Sequence, residues 1–399
     1  MKKVSVPSLW LMIILVAFPQ ISETIYTPSL PDISKALHVS NNAMQLTLSI
    51  YFAGFALGVF YWGWLSDIIG RRSAMISGIV MYGVGSFLCY LANSIEFLLI
   101  SRFIQAFGAS TGSVVTQTIL RESVNGHKRH VMFAQISAVI AFTPAIGPLI
   151  GGWMDQIFGF RSVFLTLVLM SIGLLVCTCM NLPETRTNVT AKRINIFSII
   201  KRMIQVPKVI TFGVLIGGTN GILFSYYAEA PFIFIEYFML SPGVFGFLGI
   251  VVAFASVIGA QISKRLLLAY QPEKIIYIGC IVMIGGATIL SIVALTGTSA
   301  NMIYMSLFLI ALFILLLGIG IALPNCLSLA LVDFQDVIGT AGALFSLGYY
   351  IIVTITIWGM SQLHTGSLLV MPVYFLLLAV VMTVLSRMFI YNNKIKKSA

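Results

Sequence analysis

Long apolar stretches recur along the chain, separated by short polar breaks that hold most of its charged residues. Crossing a bilayer as a helix takes about 20 mainly apolar residues. The stretches reach this length and therefore predict twelve membrane-spanning helices. The predicted spans lie near residues 8–28, 43–65, 74–93, 97–120, 131–154, 161–181, 208–235, 244–263, 275–296, 302–326, 338–360 and 369–391.

The overall composition excludes a water-soluble domain. Hydrophobic residues make up 59% of the 399 residues and charged residues only 9%. Soluble domains have roughly 45–50% and about 25% respectively. A water-soluble core cannot hold so many apolar side chains, so the expected fold class is an all-α membrane protein with twelve transmembrane helices.

One longer polar break divides the predicted spans into two sets of six. We therefore expect an N-terminal six-helix bundle at residues 1–181, a cytoplasmic linker at 182–207 and a C-terminal six-helix bundle at 208–399. The linker is basic and partly amphipathic, so it is expected to lie along the inner membrane face. Two bundles of this kind are typical of transporters that bind substrate near the middle of the membrane.

Basic residues lie mainly on one side of the predicted spans. Cytoplasmic loops are enriched in lysine and arginine, so the chain is expected to lie in a bacterial inner membrane with both termini cytoplasmic. The net charge of +11 is spread over these loops, which does not indicate nucleic-acid binding. The basic residues on this side are Lys2, Lys3, Arg71, Arg72, Arg121, Lys128, Arg129, Lys192, Arg193, Lys201, Arg202, Lys264, Arg265, Lys274, Lys394, Lys396 and Lys397.

The loop after the second predicted span carries two glycines, an aspartate and two arginines within ten residues. Glycines permit close helix approach and a tight turn, while the charged groups can form ion pairs and contact helix ends. This segment resembles the most diagnostic motif of the major facilitator superfamily, and the resemblance implies a latch at the inner face. Its residues are Gly63, Asp67, Gly70, Arg71 and Arg72.

Further segments extend the resemblance. Residues 102–108 are similar to the fourth-span motif of the superfamily, residues 182–185 match the end of the sixth span, and residues 23–31 resemble the first-span motif of the Bcr/CflA drug-efflux branch. Residues 145–152 resemble the antiporter motif of the fifth span. These glycines and the proline either pack and kink the helix or also seal the outer side of an exporter. The residues concerned are Gly147, Pro148, Gly151 and Gly152.

Three ionisable residues, Glu23, Arg102 and Glu229, lie well inside predicted spans. Such groups are costly in a bilayer and mark transport or coupling sites. Burial favours the neutral form of a carboxyl group, which suits a proton carrier. Glu23 is therefore the first candidate for the proton site, unless it extends to water at the helix end. Arg102 either lines the cavity or pairs with span 1, and Glu229 is a second proton site, a cation determinant or a packing residue.

Several tyrosines and amides near these charges are candidates for the lining of a largely apolar cavity. Tyrosines at span ends also act as interfacial anchors, so only part of the set is expected to meet substrate. The candidates are Tyr26, Tyr51, Gln105, Gln117, Asn220, Tyr226 and Tyr349.

These features predict a proton-coupled exporter of small lipophilic or amphiphilic compounds that works by alternating access. The alternative is a dedicated exporter of an endogenous metabolite, such as a siderophore or another polar acid. An enzyme is not indicated, because the chain has no nucleophile elbow or phosphate loop. The expected partners are a small-molecule substrate, protons and membrane lipids, with a monomeric chain. No cofactor or metal ion is predicted, since the histidines are scattered over loops at His38, His127, His130 and His364.

Overall fold

The computed structural model describes residues 7–123, 132, 135–136, 139–186, 196–296 and 301–398. These residues are predominantly helical. The chain separates into two units, one of Met1–Ile196 with Ser241–Gly249 and the other of Phe197–Leu240 with Ile250–Ala399. The division lies inside the predicted linker, and Ser241–Gly249 groups with the first unit although it follows the linker in sequence.

The first unit contains eight of the described α-helices. The first predicted span continues beyond its expected end through a 3₁₀ turn at Thr27–Ser29 into a short second helix. The helices are α1 (Leu9–Thr24), α2 (Leu30–Leu37), α3 (Asn41–Ile69), α4 (Arg71–Leu91), α5 (Ile95–Ser123), α6 (Thr143–Phe158), α7 (Arg161–Asn181) and, after the linker, α10 (Pro242–Phe247).

The second unit contains the remaining described helices. Two segments depart from the regular α-helix, a π-helical turn at Phe232–Tyr237 and a 3₁₀ segment at Val332–Val337. The α-helices are α8 (Ile196–Ile204), α9 (Pro207–Pro231), α11 (Gly249–Leu266), α12 (Pro272–Thr296), α13 (Met302–Leu329), α14 (Ile338–Leu363) and α15 (Val370–Ser398).

Eleven helical stretches in the described part of the chain are long and apolar enough to cross a membrane. They correspond to every predicted span except the fifth, whose described helix α6 has only 16 residues. The start of the predicted span at 131–154 falls largely outside the described residues. Some of the basic residues that set the expected orientation also lie outside them, namely Lys2, Lys3, Lys128, Arg129, Lys192 and Arg193.

Local chemistry explains where several helices begin. The Ser40 hydroxyl accepts a hydrogen bond from the amide of Ala43 at the start of α3, and the Asn301 side chain accepts one from Tyr304 at the start of α13. Such caps satisfy amides that have no partner within the helix. Proline stands in the first turn of α9, where its missing amide hydrogen costs nothing.

Candidate transport site

Arg102 on α5 lies fully buried between two aromatic rings. Its guanidinium carbon is 3.8 Å from the ring centre of Tyr26 and 4.3 Å from that of Tyr51. Tyr26 follows the end of α1, and Tyr51 lies on α3, so three segments of the first unit meet at this cation. Aromatic faces carry negative charge density and stabilise a desolvated cation.

A chain of hydrogen bonds also holds the same arginine. Arg102 Nη1 donates to Gln105 Oε1 at 2.5 Å, and Gln105 Nε2 donates to Ser86 Oγ at 2.8 Å. Ser86 in turn donates to the carbonyl of Tyr82 at 2.8 Å. Helices α4 and α5 can come this close because a side chain at Gly85 would collide with the backbone of Gln105.

Two nitrogens of Arg102 make no hydrogen bond to the described residues. The described residues provide no hydrogen-bond partner for Arg102 Nε or Nη2, although both atoms are buried. Buried polar atoms are usually bonded, and an exception calls for a physical explanation. In a transporter, open donors beside aromatic rings can bind an acceptor group of a ligand.

Glu23 lies near this arginine but does not bond to it directly. The side chain is buried near the end of α1, and its charge interacts with that of Arg102. Among the described residues there is neither a salt bridge nor a hydrogen bond to the Glu23 carboxyl. The alternative in which Glu23 directly pairs with Arg102 is therefore not the arrangement seen. The neighbouring hydroxyls of Tyr26 and Thr47 bond to each other at 2.6 Å.

A further buried carboxyl, Asp155, was missed in the sequence. The prediction ended the fifth span at residue 154, whereas α6 continues to Phe158. Asp155 is buried, and neither carboxyl oxygen has a hydrogen-bond partner in the described part of the chain. Its charge lies within electrostatic range of Asp32, near the hydroxyl of Ser29. The only feature of the sequence that could have indicated its burial is that Asp155 directly follows an apolar run.

The glycine-rich face of α6 packs tightly on two neighbours. A methyl group at Gly147 would collide with Thr24, and one at Gly151 with the carbonyl of Ile25, both at the end of α1. At Gly152 it would collide with the carbonyl of Pro242 in α10. The packing role expected for these glycines agrees with this geometry.

The predicted latch residues form a charged cluster in the first unit. Arg71 Nη1 lies 2.6 Å from Asp67, and Arg71 Nη2 lies 2.6 Å from Glu122 on α5. The Ser66 hydroxyl accepts a further bond from Arg71 at 2.6 Å. These partners all belong to the first unit. The contacts therefore brace that unit, and a latching role between the two halves stays a prediction.

The turn between α3 and α4 explains the second glycine of this motif. Gly70 has φ +94°, which L side chains rarely adopt. The Glu184 carboxylate accepts hydrogen bonds from the amides of Arg71 and Arg72 at 2.9 and 3.1 Å. A carboxylate at a helix start satisfies unpaired amides and complements the helix dipole. Arg72 itself donates to the carbonyl of Cys179 at 2.7 Å.

In the second unit, Glu229 is paired with a histidine that the sequence analysis assigned to a loop. His364 directly follows α14, and its Nδ1 lies 2.8 and 2.9 Å from the two carboxyl oxygens of Glu229 on α9. His364 is only 9% exposed and Glu229 only 2%. His364 thus lies in the loop after α14, as the sequence indicated, but its side chain is buried and paired, which the sequence did not indicate. His127 and His130 lie outside the described residues.

The remaining predicted lining residues differ in their surroundings. Gln117 is exposed, whereas Tyr226 is buried against the ring of Tyr227. Asn220 is half-buried and donates to the carbonyl of Ile216 within its own helix. The ring of Tyr349 contacts that of Tyr350, with centroids 4.5 Å apart.

The sequence and fold of the chain match a known family over almost the whole length. The profile of the Major Facilitator Superfamily matches residues 12–357. An uncharacterized transporter of Rickettsia bellii is 32% identical over 378 residues, which cover 93% of each chain. A chloramphenicol resistance protein of Pseudomonas aeruginosa is 28% identical over 363 residues, covering 90% of this chain and 85% of its own.

A solved structure supports the same fold. The crystal structure of a D-xylose-proton symporter matches with a TM-score of 0.75 at 15% sequence identity, covering 94% of this chain and 96% of that one. The predicted fold class, an all-α membrane protein of twelve helices in two six-helix bundles, is thereby confirmed, and the protein is a multi-pass membrane transporter rather than an enzyme. The chain belongs to the major facilitator superfamily.

Proposed function

We propose that the protein is a proton-coupled exporter of small lipophilic or amphiphilic compounds in the bacterial inner membrane. Its similarity to a chloramphenicol resistance protein over 90% of the chain supports a drug-efflux role. The distribution of basic residues supports cytoplasmic termini. In this proposal a single chain alternates between inward-open and outward-open states, and substrate and proton leave on opposite sides.

The observation that carries the proposal is the cluster of Glu23, Arg102, Tyr26 and Tyr51. It combines a buried carboxyl group with a buried cation that has open donors and two flanking aromatic faces. A buried carboxylate without a directly bonded cation is costly, so Glu23 favours binding a proton. The aromatic rings provide apolar contact area for a lipophilic ligand.

Coupling follows if the proton and the substrate compete for this cluster. When Glu23 is ionised, its carboxylate can accept a hydrogen bond from a ligand or attract a positively charged one. A proton bound to Glu23 removes that charge and leaves the buried cation of Arg102 without a nearby negative group, so the cluster holds the ligand less well. Substrate binding and proton loading would exclude one another, which is the condition for antiport.

The proposal is tested with Glu23→Gln in proteoliposomes that carry a pH gradient. Chloramphenicol and tetraphenylphosphonium serve as neutral and cationic probes. We expect the variant to lose uphill transport because glutamine preserves size and polarity but cannot ionise. Glu96→Gln, an exposed glutamate in the first turn of α5, is the matched control and should transport normally. Undiminished uphill transport by Glu23→Gln would contradict the assignment.

A second candidate function is the export of a polar acid such as a siderophore. The specific observation in its favour is the pair of open, buried N–H groups on Arg102, since these donors suit a carboxylate. A strain that lacks the protein should then retain the acid, which comparison of secreted and retained metabolites with the parent strain would detect. Equal secretion of every acid by both strains would exclude this candidate.

A further inference from the structure

The buried pair of Glu229 and His364 joins two helices that are far apart in sequence. Glu229 lies on α9, two residues before the helix ends at Pro231 and widens into the π-helical turn Phe232–Tyr237. His364 directly follows α14. The ring of Phe232 packs against the imidazole with centroids 5.5 Å apart. The pair therefore fastens the ends of α9 and α14 to each other inside the second unit.

The geometry assigns different tasks to the two imidazole nitrogens. Nδ1 faces both oxygens of the carboxyl group, at 2.8 and 2.9 Å, so one proton lies between the ring and Glu229. A further proton must then bind at Nε2, the nitrogen that faces away from the carboxylate. Uptake of that proton changes the pair from net negative to net neutral.

The residues on either side of His364 in the chain are exposed. His364 is itself buried, but Leu363 before it and Thr365 to Ser367 after it are exposed. A proton can thus reach the imidazole from the loop between α14 and α15 without crossing the helical core. The positive-inside rule places this loop on the outer side of the membrane, where an exporter driven by protons must load them.

The other titratable groups at this end of the unit are few among the described residues. Glu236 follows on the π-helical turn with Tyr237, Tyr304 begins α13, and Tyr374 on α15 donates to the carbonyl of Thr356. Tyrosines remain neutral over the physiological range. Glu236 is half-exposed and provides a second carboxyl on the same stretch of chain.

We propose that Glu229 and His364 form a second proton-binding site, in which His364 Nε2 takes up the proton and Glu229 holds the resulting imidazolium. The site deepens the proposed function and rests on it for the claim that this proton is one of those exchanged during transport. Proton loading strengthens the bond between α9 and α14, and proton loss weakens it. The outer ends of these helices are therefore held together according to proton occupancy.

The first experiment measures protonation directly and needs no substrate. Protein with ¹⁵N-labelled histidine, reconstituted in lipid nanodiscs, is followed between pH 5 and 9, since ¹⁵N spectra distinguish neutral from charged imidazole. His364→Gln identifies the signal of His364. We expect this signal to change between the two forms, and the change to be displaced in Glu229→Gln but not in Glu236→Gln. An imidazole that keeps one form throughout, or responds equally to both glutamine variants, overturns the proposal.

The second experiment tests whether proton binding by Glu229 and His364 is needed for proton-driven transport. In proteoliposomes, we expect Glu229→Gln and His364→Gln to reduce proton-driven transport of tetraphenylphosphonium or chloramphenicol at least about tenfold, because each leaves one buried group without its partner. Glu236→Gln should transport like the unaltered protein. Unchanged proton-driven transport in both pair variants overturns the coupling role. If the unaltered protein moves neither probe against a gradient while His364 still changes form, the proposed function fails and the proton site stands.

Discussion

The guanidinium of Arg102 illustrates how a cation is kept inside a membrane helix. Two aromatic faces and one hydrogen bond to Gln105 surround it. A cation on an aromatic ring gains about 2 kcal/mol or more when both are desolvated. Burial of a lone charge costs several kcal/mol, so these contacts offset much of the cost, while two nitrogens have no hydrogen-bond partner among the described residues.

Arg102→Lys is predicted to lower transport at least about tenfold while the protein stays folded, because lysine retains the charge but lacks the planar group that stacks on both rings. The measurement is initial uptake of each probe into proteoliposomes, with the thermal unfolding midpoint of the same preparation. Arg161→Lys is the matched control, since its guanidinium is exposed beside the ring of Phe160. Equal activity of Arg102→Lys and the control would show that the stacking is unimportant.

The sequence predicted part of the buried residues at these candidate sites and missed others for definable reasons. Membrane burial and motif resemblance pointed to Glu23, Arg102 and Glu229. His364 was missed because hydropathy does not tell which distant side chain a loop residue meets, and its partner is 135 residues away. Asp155 was missed through an error in one helix end. A shift of a few residues decides whether a carboxyl group is assigned to water or to the interior.

At the scale of elements, the glycines of α6 allow its backbone to pack closely against neighbouring segments. They leave no side chain where the helix touches the carbonyls of Ile25 and Pro242, and these backbone atoms cannot move aside as a flexible side chain would. Without a hydrophobic driving force between helices in lipid, such close backbone approach is a main source of packing energy. The motif therefore has a structural role in the first unit whether or not it also seals the outer side.

Gly151→Ala is predicted to destabilise the protein by about 1–3 kcal/mol, the usual cost of adding a methyl group to a close contact. Gly173→Ala provides the control, because a methyl group there meets nothing within 4 Å. Unfolding of both variants in the same detergent, followed by loss of helical signal, gives the comparison. If the two variants unfold alike, α1 and α6 pack less closely than described.

Arg71 joins the end of α3, the start of α4 and the end of α5, in addition to apolar packing. Its guanidinium bonds to Asp67 and Glu122, and its amide bonds to Glu184. Asp67 is the more exposed of the two ion partners, with 60% of its side chain accessible against 28% for Glu122. Water screens exposed pairs more strongly, so the two carboxylates are unequal partners.

Asp67→Asn is predicted to slow transport without abolishing ligand binding, and Glu122→Gln is predicted to slow it more, because the more buried pair contributes more. Turnover in proteoliposomes and the affinity for tetraphenylphosphonium would be measured for both variants. Glu96→Gln, the exposed glutamate in the first turn of α5, is again a suitable control. Unchanged turnover in both variants, or loss of ligand binding in either, would reject the latch.

At the scale of the whole molecule, the apolar pattern predicted the fold because the bilayer demands long helices whose backbone bonds are satisfied internally. The described spans correspond to those predicted, apart from boundaries and the short helices α2 and α8. The grouping of Ser241–Gly249 with the first unit could not be predicted. It depends on which glycines meet which carbonyls, and hydropathy carries no such information.

The charge of the substrate follows from which buried charges are compensated. The sequence favoured neutral or cationic lipophiles, on the premise that Glu23 neutralises Arg102 and leaves Glu229 available, over an anion bound by a free Arg102. Glu229 bonds to His364, whereas Arg102 has open N–H groups and no salt bridge to Glu23 among the described residues. The described geometry therefore shifts the expectation towards ligands that carry a hydrogen-bond acceptor or a negative group, together with an apolar body for the tyrosine rings.

We therefore predict that Arg102→Gln lowers the affinity of a lipophilic anion that carries a hydrogen-bond acceptor, such as an aromatic carboxylate, by about tenfold or more. A charge-assisted bond is stronger than a neutral one, and glutamine cannot supply it. Chloramphenicol should lose less affinity, because its neutral groups gain only ordinary hydrogen bonds from the arginine. Binding isotherms of the purified protein for one anion, one neutral compound and one cation decide the point. If Glu229→Gln abolishes cation binding while Arg102→Gln leaves the anion unaffected, the opposite assignment of substrate charge is correct.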